Sequence, residues 1–399
     1  MDFRPSAHVE RIREEFRAWL DENLPERWRG RGALESLPER ERIDILRNWQ
    51  RRLHEGRWLV VHWPEAVGGR GLSMLEHLIV QEELLRAEAP PLINAASLSI
   101  VGPTLLTFAT DEQKRRHLER FLTAEEVWCI GFSEPGAGSD LGSVRTRAER
   151  RGDVYVLNGQ KVWTTYAHVA DWGFFLVRTD PSAPKHKGLT TVILDMKSPG
   201  IRIRPLVEIT GDVDFNEVFL EDVEVPLPNA VGGENQGWRV ILTSLGHERG
   251  TLNVVDRVRL QRDLARMITR ARETGPYGRP AVEEPVFRQR IAQSWIDMEI
   301  VRLFSIRILS DLERGRPTPD ASVIKLFSSE AAQRMYDVAL EILGPYAQLW
   351  RGDAHGPDDA AWQHGRLLSF ARTIAAGTSE IQRNIIAERI LGLPRASSS

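Results

Sequence analysis

Val154-Tyr155-Val156-Leu157-Asn158-Gly159-Gln160-Lys161-Val162-Trp163-Thr164-Thr165 breaks the rhythm of the chain. Elsewhere apolar residues recur every three to four positions. Here β-branched and aromatic residues form two runs around an Asn-Gly pair, the strongest short-range signal for a β-hairpin. Working outward, 172–177, 189–194, 201–205 and 218–225 continue as strand-like runs punctuated by Gly, Pro and Asp. The block from about 127 to 232 therefore reads as an antiparallel sheet or barrel.

Before that block the period is helical. Ile12, Phe16 and Trp19/Leu20 lie on one face, as do Ile43, Leu46, Trp49 and Leu53. Segments 74–88 and 91–109 predict further helices, the second largely apolar and therefore buried. Asp111 reads as an N-cap before 112–122, with acid in the first turn. After the block the long period returns over 238–272, 285–314, 317–343 and 378–391, where Ile381, Ile385 and Ile386 keep helical spacing. The expected order is a helical N-terminal domain (1–125), a central β domain (126–232) and a C-terminal helical domain (233–399).

Composition narrows the classes. The chain has 399 residues, 42% hydrophobic and 27% charged, which is globular usage. A net charge of -3 offers no basic field for a nucleic-acid backbone. The single cysteine, Cys129, forms no internal disulfide and no CxxC metal site. The first ten residues are too polar for a signal peptide, and no apolar run approaches the roughly 20 residues that span a bilayer. The expectation is a soluble, cytoplasmic protein with no nucleic-acid partner, no membrane insertion and no metal. Lysine is scarce, six against 47 arginines.

Three segments carry chemistry. Phe132-Ser133-Glu134-Pro135-Gly136-Ala137-Gly138-Ser139-Asp140 combines glycines, a proline and hydroxyls, which frees backbone N–H groups to approach a phosphate or a flavin edge. Alone it also reads as a strand-to-strand turn. It is neither a Walker loop, having no Gly-Lys-Ser/Thr, nor a dinucleotide fingerprint, because no helix opens at its end. Lys161-Val162-Trp163-Thr164-Thr165 sets an indole beside two hydroxyls on a strand, suited to covering an aromatic ring or to an ordinary sheet surface. Gly377-Thr378-Ser379-Glu380-Ile381-Gln382 reads as a capped helix start.

Together, in this order and over nearly the whole chain, the segments resemble the signatures of the acyl-CoA dehydrogenase family of flavoproteins. The resemblance implies a helical domain, a central antiparallel β-barrel domain and a C-terminal four-helix bundle. It implies FAD as cofactor, an acyl-CoA thioester as substrate and electron transfer flavoprotein as electron acceptor. In such enzymes a carboxylate removes the α-proton while the β-hydride passes to flavin N5. By resemblance, Ser133 and the N–H groups near Ile130 and Phe132 contact the pyrimidine end of the flavin, beside Gly138. Trp163 shields the ring, and Thr164 and Thr165 flank N5. Ser139 lies near the CoA and FAD phosphates, and Thr378, Ser379 and Glu380 lie along the adenosine half. Leu245, Arg249 and Gly377 belong to the substrate side.

Many members carry glutamate just before the Gly-Thr of the third signature, where this chain has Ala376. Isovaleryl- and long-chain-type members place the base on an early helix of the C-terminal domain, before an arginine. Leu245-Gly246-His247-Glu248-Arg249-Gly250 matches that place and makes Glu248 the candidate base. Two helical residues turn about 200°, so Glu248 lies opposite a Gly246/Gly250 edge. Each interior glycine costs about 1 kcal/mol relative to alanine, which points to close packing along that edge. Ala376 still supplies the backbone N–H that polarises the thioester carbonyl. The part of the FAD site donated across a subunit interface departs from the family: Glu341 replaces a glutamine, and Gly344 is followed by Pro345. This leaves open a homotetramer or an α2β2 heterotetramer. The alternatives are a non-catalytic FAD- or CoA-binding subunit, and a same-fold oxidase or acyl-carrier-protein dehydrogenase.

Overall fold

The computed structural model describes residues 6–30, 32–34, 37–276, 278–314, 316 and 320–395; of 247–256 and 312–313 it describes the backbone only. The chain forms two compact units, 1–248 and 249–399. The first opens with α1 (Ala7–Asn23), α2 (Glu39–Glu55), α3 (Met74–Arg86), α4 (Ala95–Phe108) and α5 (Asp111–Leu122). Each buries the face its periodicity marked: Ile12, Phe16 and Leu20 on α1, and Leu46, Trp49 and Leu53 on α2. The apolar α4 is buried at Leu98, Ile100, Val101 and Leu105. The cap of α5 is Thr110 rather than the expected Asp111. Thr110 Oγ1 accepts from Gln113 N at 3.2 Å while Gln113 Oε1 accepts from Thr110 N at 2.9 Å. That reciprocal pair satisfies two end donors at once, and Asp111 becomes the acid of the first turn.

Eight strands follow among the described residues: β1 (Trp128–Gly131), β2 (Arg147–Arg151), β3 (Val154–Lys161), β4 (Trp172–Arg178), β5 (Leu189–Asp195), β6 (Ile201–Pro205), β7 (Asn216–Pro226) and β8 (Ala230–Val231). Their order is β6-β7-β3-β2-β4-β5-β8, with β1 beside β4. The sheet is mixed where an antiparallel one was expected. β1 pairs parallel to β4, and β2 meets β4 parallel at Arg147 and Arg178. Two intervening strands carry the chain across before β4 returns beside β1, which is what a parallel pair requires. The helices and the sheet share one apolar core running from Ile12 to Ile241.

Asn158-Gly159 is not the hairpin turn its sequence predicts. β3 runs straight through it, and the register against β7 slips between Leu157 and Gly159, a bulge. A Cβ on Gly159 would lie 2.7 Å from the Thr146 backbone, so the glycine serves a close approach. The turn itself falls at Gly152 (φ +60°), between β2 and β3.

α6 (Gly237–Glu273) runs into the second unit, which holds α7 (Pro285–Glu313), α8 (Asp320–Leu343), α9 (Ala361–Arg372) and α10 (Ser379–Ile385). The second unit has its own core, centred on Met298, Val301, Ile324, Met335, Tyr336 and Ile342. Among the described residues a Cβ on Gly246 would meet nothing within 4 Å, so they do not show the close packing expected there; Gly250 lies outside the described side chains. No helix among the described residues is long and apolar enough to cross a membrane.

One ion cluster ties α1 to α3. The Glu83 side chain is 1% exposed and accepts from Arg13 at 2.7 Å, Arg17 at 2.7 Å and Arg86 at 2.6 Å. Burial alone raises a carboxyl pKa, but these guanidinium groups overcome it and hold Glu83 at about 2. The contribution is whole above the ordinary carboxylate range and drains away as pH falls toward that value. Glu83→Gln should cost about 1.5–3 kcal/mol at neutral pH, because charged hydrogen bonds to a buried carboxylate are lost while Arg13 keeps Glu10 and Glu82 and the exposed Arg17 and Arg86 stay solvated. The loss should shrink below pH ~3. Thermal melts of the two proteins across that range check both parts.

Candidate active site

The loop after β1 and the end of β3 are fastened by one buried ammonium. Lys161 is fully buried and donates to Glu134 Oε1 at 2.8 Å, Phe132 O at 3.1 Å and Leu176 O at 2.6 Å. Glu134 accepts in addition from Arg145 N at 2.6 Å and Thr146 N at 2.8 Å. Every donor of the ammonium is thus used, and the carboxylate takes three hydrogen bonds. Burial pushes the Lys161 pKa down to about 8, against the pull of Glu134. Glu134 is lowered despite its own burial, because Lys161 and the two N–H groups favour the anion. Val162 N donates to Ser133 O at 3.0 Å, closing the seam.

This fixes what flanks the seam. Glu134 and Ala137 exchange both backbone hydrogen bonds at 3.0 Å, which turns Gly136 outward. A Cβ on Gly136 or Gly138 would meet nothing within 4 Å, so the loop borders open space. β3 ends at Lys161, so the expected strand over 162–165 is corrected: Trp163 takes φ +61°, a left-handed backbone that ends the ladder. Thr164 then pairs with Asn216 in both directions at 3.1 Å. The result is an indole 59% exposed beside Thr164, whose buried hydroxyl has no partner.

In the first unit the structure thus gathers Phe132, Ser133, Gly138, Trp163, Thr164 and Thr165 on two segments joined through Lys161. Ile130 lies half-buried on β1. Ser139 is exposed beside Asp140, which accepts from Ser143 Oγ and Lys185 Nζ, each at 2.6 Å. Leu245 packs against the first unit's core. Glu248 and Arg249 lie on α6, and their side chains fall outside the described residues.

In the second unit Thr378 caps α10, accepting from Ile381 N at 3.2 Å. Its hydroxyl and the N–H of Glu380 lower the exposed Glu380 carboxyl. Ser379 is buried with an unpartnered Oγ. Ala376 and Gly377 stand just before it with φ of +54° and +92°. Glu341 is ion-paired with Arg290, and Gly344 takes φ +56° with its Cβ position 3.0 Å from Pro276. A cavity of about 360 Å³ opens beside Thr378, Ser379 and Glu380. A larger cleft of about 580 Å³, near Phe108, Tyr155 and Arg239, is lined by none of the expected residues.

Sequence reasoning missed Lys161 and Glu134 as partners. The signal was a lysine inside an apolar run, which burial allows only with a counter-charge.

Comparison with known proteins places the chain in a family. The chain matches the family models for the acyl-CoA dehydrogenase N-terminal domain over 6–125, middle domain over 129–223 and C-terminal domain over 235–391. It belongs to the acyl-CoA dehydrogenase family of FAD-dependent oxidoreductases. It is similar to acyl-CoA dehydrogenase IpdE1 of Mycobacterium tuberculosis, at 38% identity over 97% of this chain and 98% of that protein. Among solved structures it resembles the ChsE4-ChsE5 complex from Mycobacterium tuberculosis, with a TM-score of 0.85 and 31% identity over 99% of this chain and 100% of that one. The Tcur3481-Tcur3483 steroid ACAD is alike, with a TM-score of 0.85 and 29% identity over 99% and 100%.

The residues present fit FAD. In the first unit the open side of Gly136 and Gly138, the exposed Trp163 ring packed edge-on against Phe215, and the Thr164 hydroxyl, unpartnered among the described residues, offer backbone, an apolar cover and a polar atom; in the second unit Ser379 offers a hydroxyl of the same kind. Lys161→Met should cost about 3–5 kcal/mol, because it leaves the Glu134 carboxylate buried and unpaired. Lys161→Met with Glu134→Gln should recover part of that loss. Denaturant unfolding of the two variants checks the difference, and equal losses would mean the pair is not coupled.

Proposed function

We propose that this chain oxidises an acyl-CoA thioester to the trans-2-enoyl-CoA. The α-proton goes to the Glu248 carboxylate, the β-hydrogen leaves with its electron pair, and the Cα–Cβ bond gains a second pair. FAD, when bound, supplies the acceptor for that hydride and passes the electrons to electron transfer flavoprotein. The observation that carries the reading is the exposed Trp163 beside the unpartnered Thr164 hydroxyl, held against the 132–138 loop through Lys161.

Each residue has a physical task. Phe132, Ser133 and Gly138 offer backbone to the ring edge, Trp163 excludes water, and Thr164 and Thr165 hydrogen-bond near the hydride-accepting position. Ser139, Thr378, Ser379 and Glu380 serve the phosphate and adenosine parts. The N–H of Ala376 stabilises charge on the thioester oxygen as the α-proton leaves. Ala376 has no carboxyl, so the proton needs another acceptor, and Glu248 stands where helix-borne bases stand in the family.

The substrate class we infer is a steroid-derived acyl-CoA, and the assembly an α2β2 heterotetramer. Both rest on solved relatives described as a steroid ACAD and as two-chain complexes.

A panel of steroid side-chain, octanoyl and isovaleryl CoA thioesters with a ferrocenium acceptor tests the substrate. Turnover of none of them would sink the activity. For the base, Glu248→Gln should slow flavin reduction by about 10²–10⁴-fold or more in single turnover while FAD stays bound. A parental rate would remove Glu248 from the mechanism.

A further inference from the structure

Ala376 and Gly377 take left-handed backbone in succession, at φ +54° and +92°. Glycine does so freely; an L-alanine pays about 1–2 kcal/mol. Something must hold it there. Gln382 Nε2 donates to Ala376 O at 3.1 Å and leans on Gly377 O at 3.5 Å. Lys325 Nζ donates to Gly377 O. Both are buried, Gln382 completely and Lys325 at 6% exposure, and they reach the turn from different helices, α10 and α8. The fit is tight: a Cβ on Gly377 would lie 2.6 Å from Gln382 Nε2.

The other side of Ala376 is fixed too, since Ala375 N donates to Ala371 O at 2.8 Å. The Ala375–Ala376 unit thus lies between two hydrogen-bonded peptide units, which limits the backbone rotations open to it. Its N–H has no acceptor among the described residues. Two further polar atoms at the turn are buried and unpartnered, Ser379 Oγ and Gln382 Oε1. A backbone donor, a hydroxyl and an amide oxygen left without partners among the described residues mark a place prepared for ligand atoms.

We propose that Lys325 and Gln382 are positioning residues: together they hold Ala376 in left-handed backbone so that its N–H stands aligned for the thioester oxygen. This rests on the reading of Ala376 given under the proposed function and does not involve Glu248.

The test uses FAD-loaded protein and the enoyl-CoA product of the fastest substrate in the panel, labelled with ¹³C at the thioester carbonyl. In the parent, the bound carbonyl stretch should fall below that of the free thioester. In Lys325→Met and in Gln382→Leu that downshift should shrink. kcat should drop by roughly 10–100-fold, with KM changed less than about threefold. Lys325→Arg should restore most of both. Gln382→Glu keeps size and packing but turns a donor into an acceptor, and decides the point if Lys325→Met does not fold. Folded variants with the parental carbonyl frequency and kcat would overturn the clamp alone. A parent that turns over no acyl-CoA would instead overturn the acyl-CoA reading beneath it, and the clamp with it.

Discussion

The active-site half of the first unit depends on one buried charge. A lysine ammonium without solvent is affordable only if its donors are all used and an anion is close. Lys161 meets both conditions by binding Glu134, Phe132 O and Leu176 O. Those three partners belong to the loop after β1 and to β4, while the lysine itself ends β3. One side chain therefore fixes the distance between the glycine loop and the indole-bearing segment. Everything that could face a flavin edge in this unit is placed relative to it. The left-handed Trp163 two residues on is tolerated because the backbone on both sides is already committed, to Ser133 before it and to Asn216 after it.

Other buried polar side chains brace the structure elsewhere. Glu83 gathers three arginines between α1 and α3 and gives the helical layer a rigid seat on the core it shares with the sheet. In the second unit Lys325 and Gln382 fix the turn before α10. Of the six lysines in the chain, Lys161 and Lys325 are the ones buried among the described residues. In a chain that otherwise uses arginine, the slim, three-donor ammonium is kept where a backbone carbonyl must be reached inside a core.

Much of the fold was legible because hydrophobic period is a strong signal. The edges of β4, β5, β6 and β7 and of α3, α5 and α6 fall within a few residues of their sequence reading. The failures are local contests that tertiary pairing won. Asn158-Gly159 has turn chemistry, yet β7 offered a partner on both sides and the pair became a bulge. Segment 162–165 has strand composition, but the left-handed Trp163 stops the ladder. The parallel pairing of β1 is invisible to any window shorter than the distance to β4. α9 has no early apolar stripe and passed unrecognised. At the candidate site, motifs picked out the glycines and hydroxyls to which the proposed function gives ligand contacts, because such residues stand out in sequence. The residues that hold them, Lys161, Glu134, Lys325 and Gln382, look like ordinary surface charge and amide in sequence. Only burial reveals their use.

These pieces describe one enzyme logic. Hydrogen-bonded buried polar groups stand behind a few unsatisfied ones, and in the proposed function the unsatisfied ones meet the ligand. The account's central claim is that this preparation serves two-electron oxidation of an acyl-CoA thioester. The most direct measurement is anaerobic addition of steroid-derived acyl-CoA to the fully FAD-loaded protein, following the visible flavin band and the mass of the thioester. The account predicts bleaching in proportion to bound flavin and an enoyl-CoA lighter by two hydrogens. A fully loaded flavin whose spectrum is unchanged by every acyl-CoA offered, with the thioester recovered intact, would contradict it.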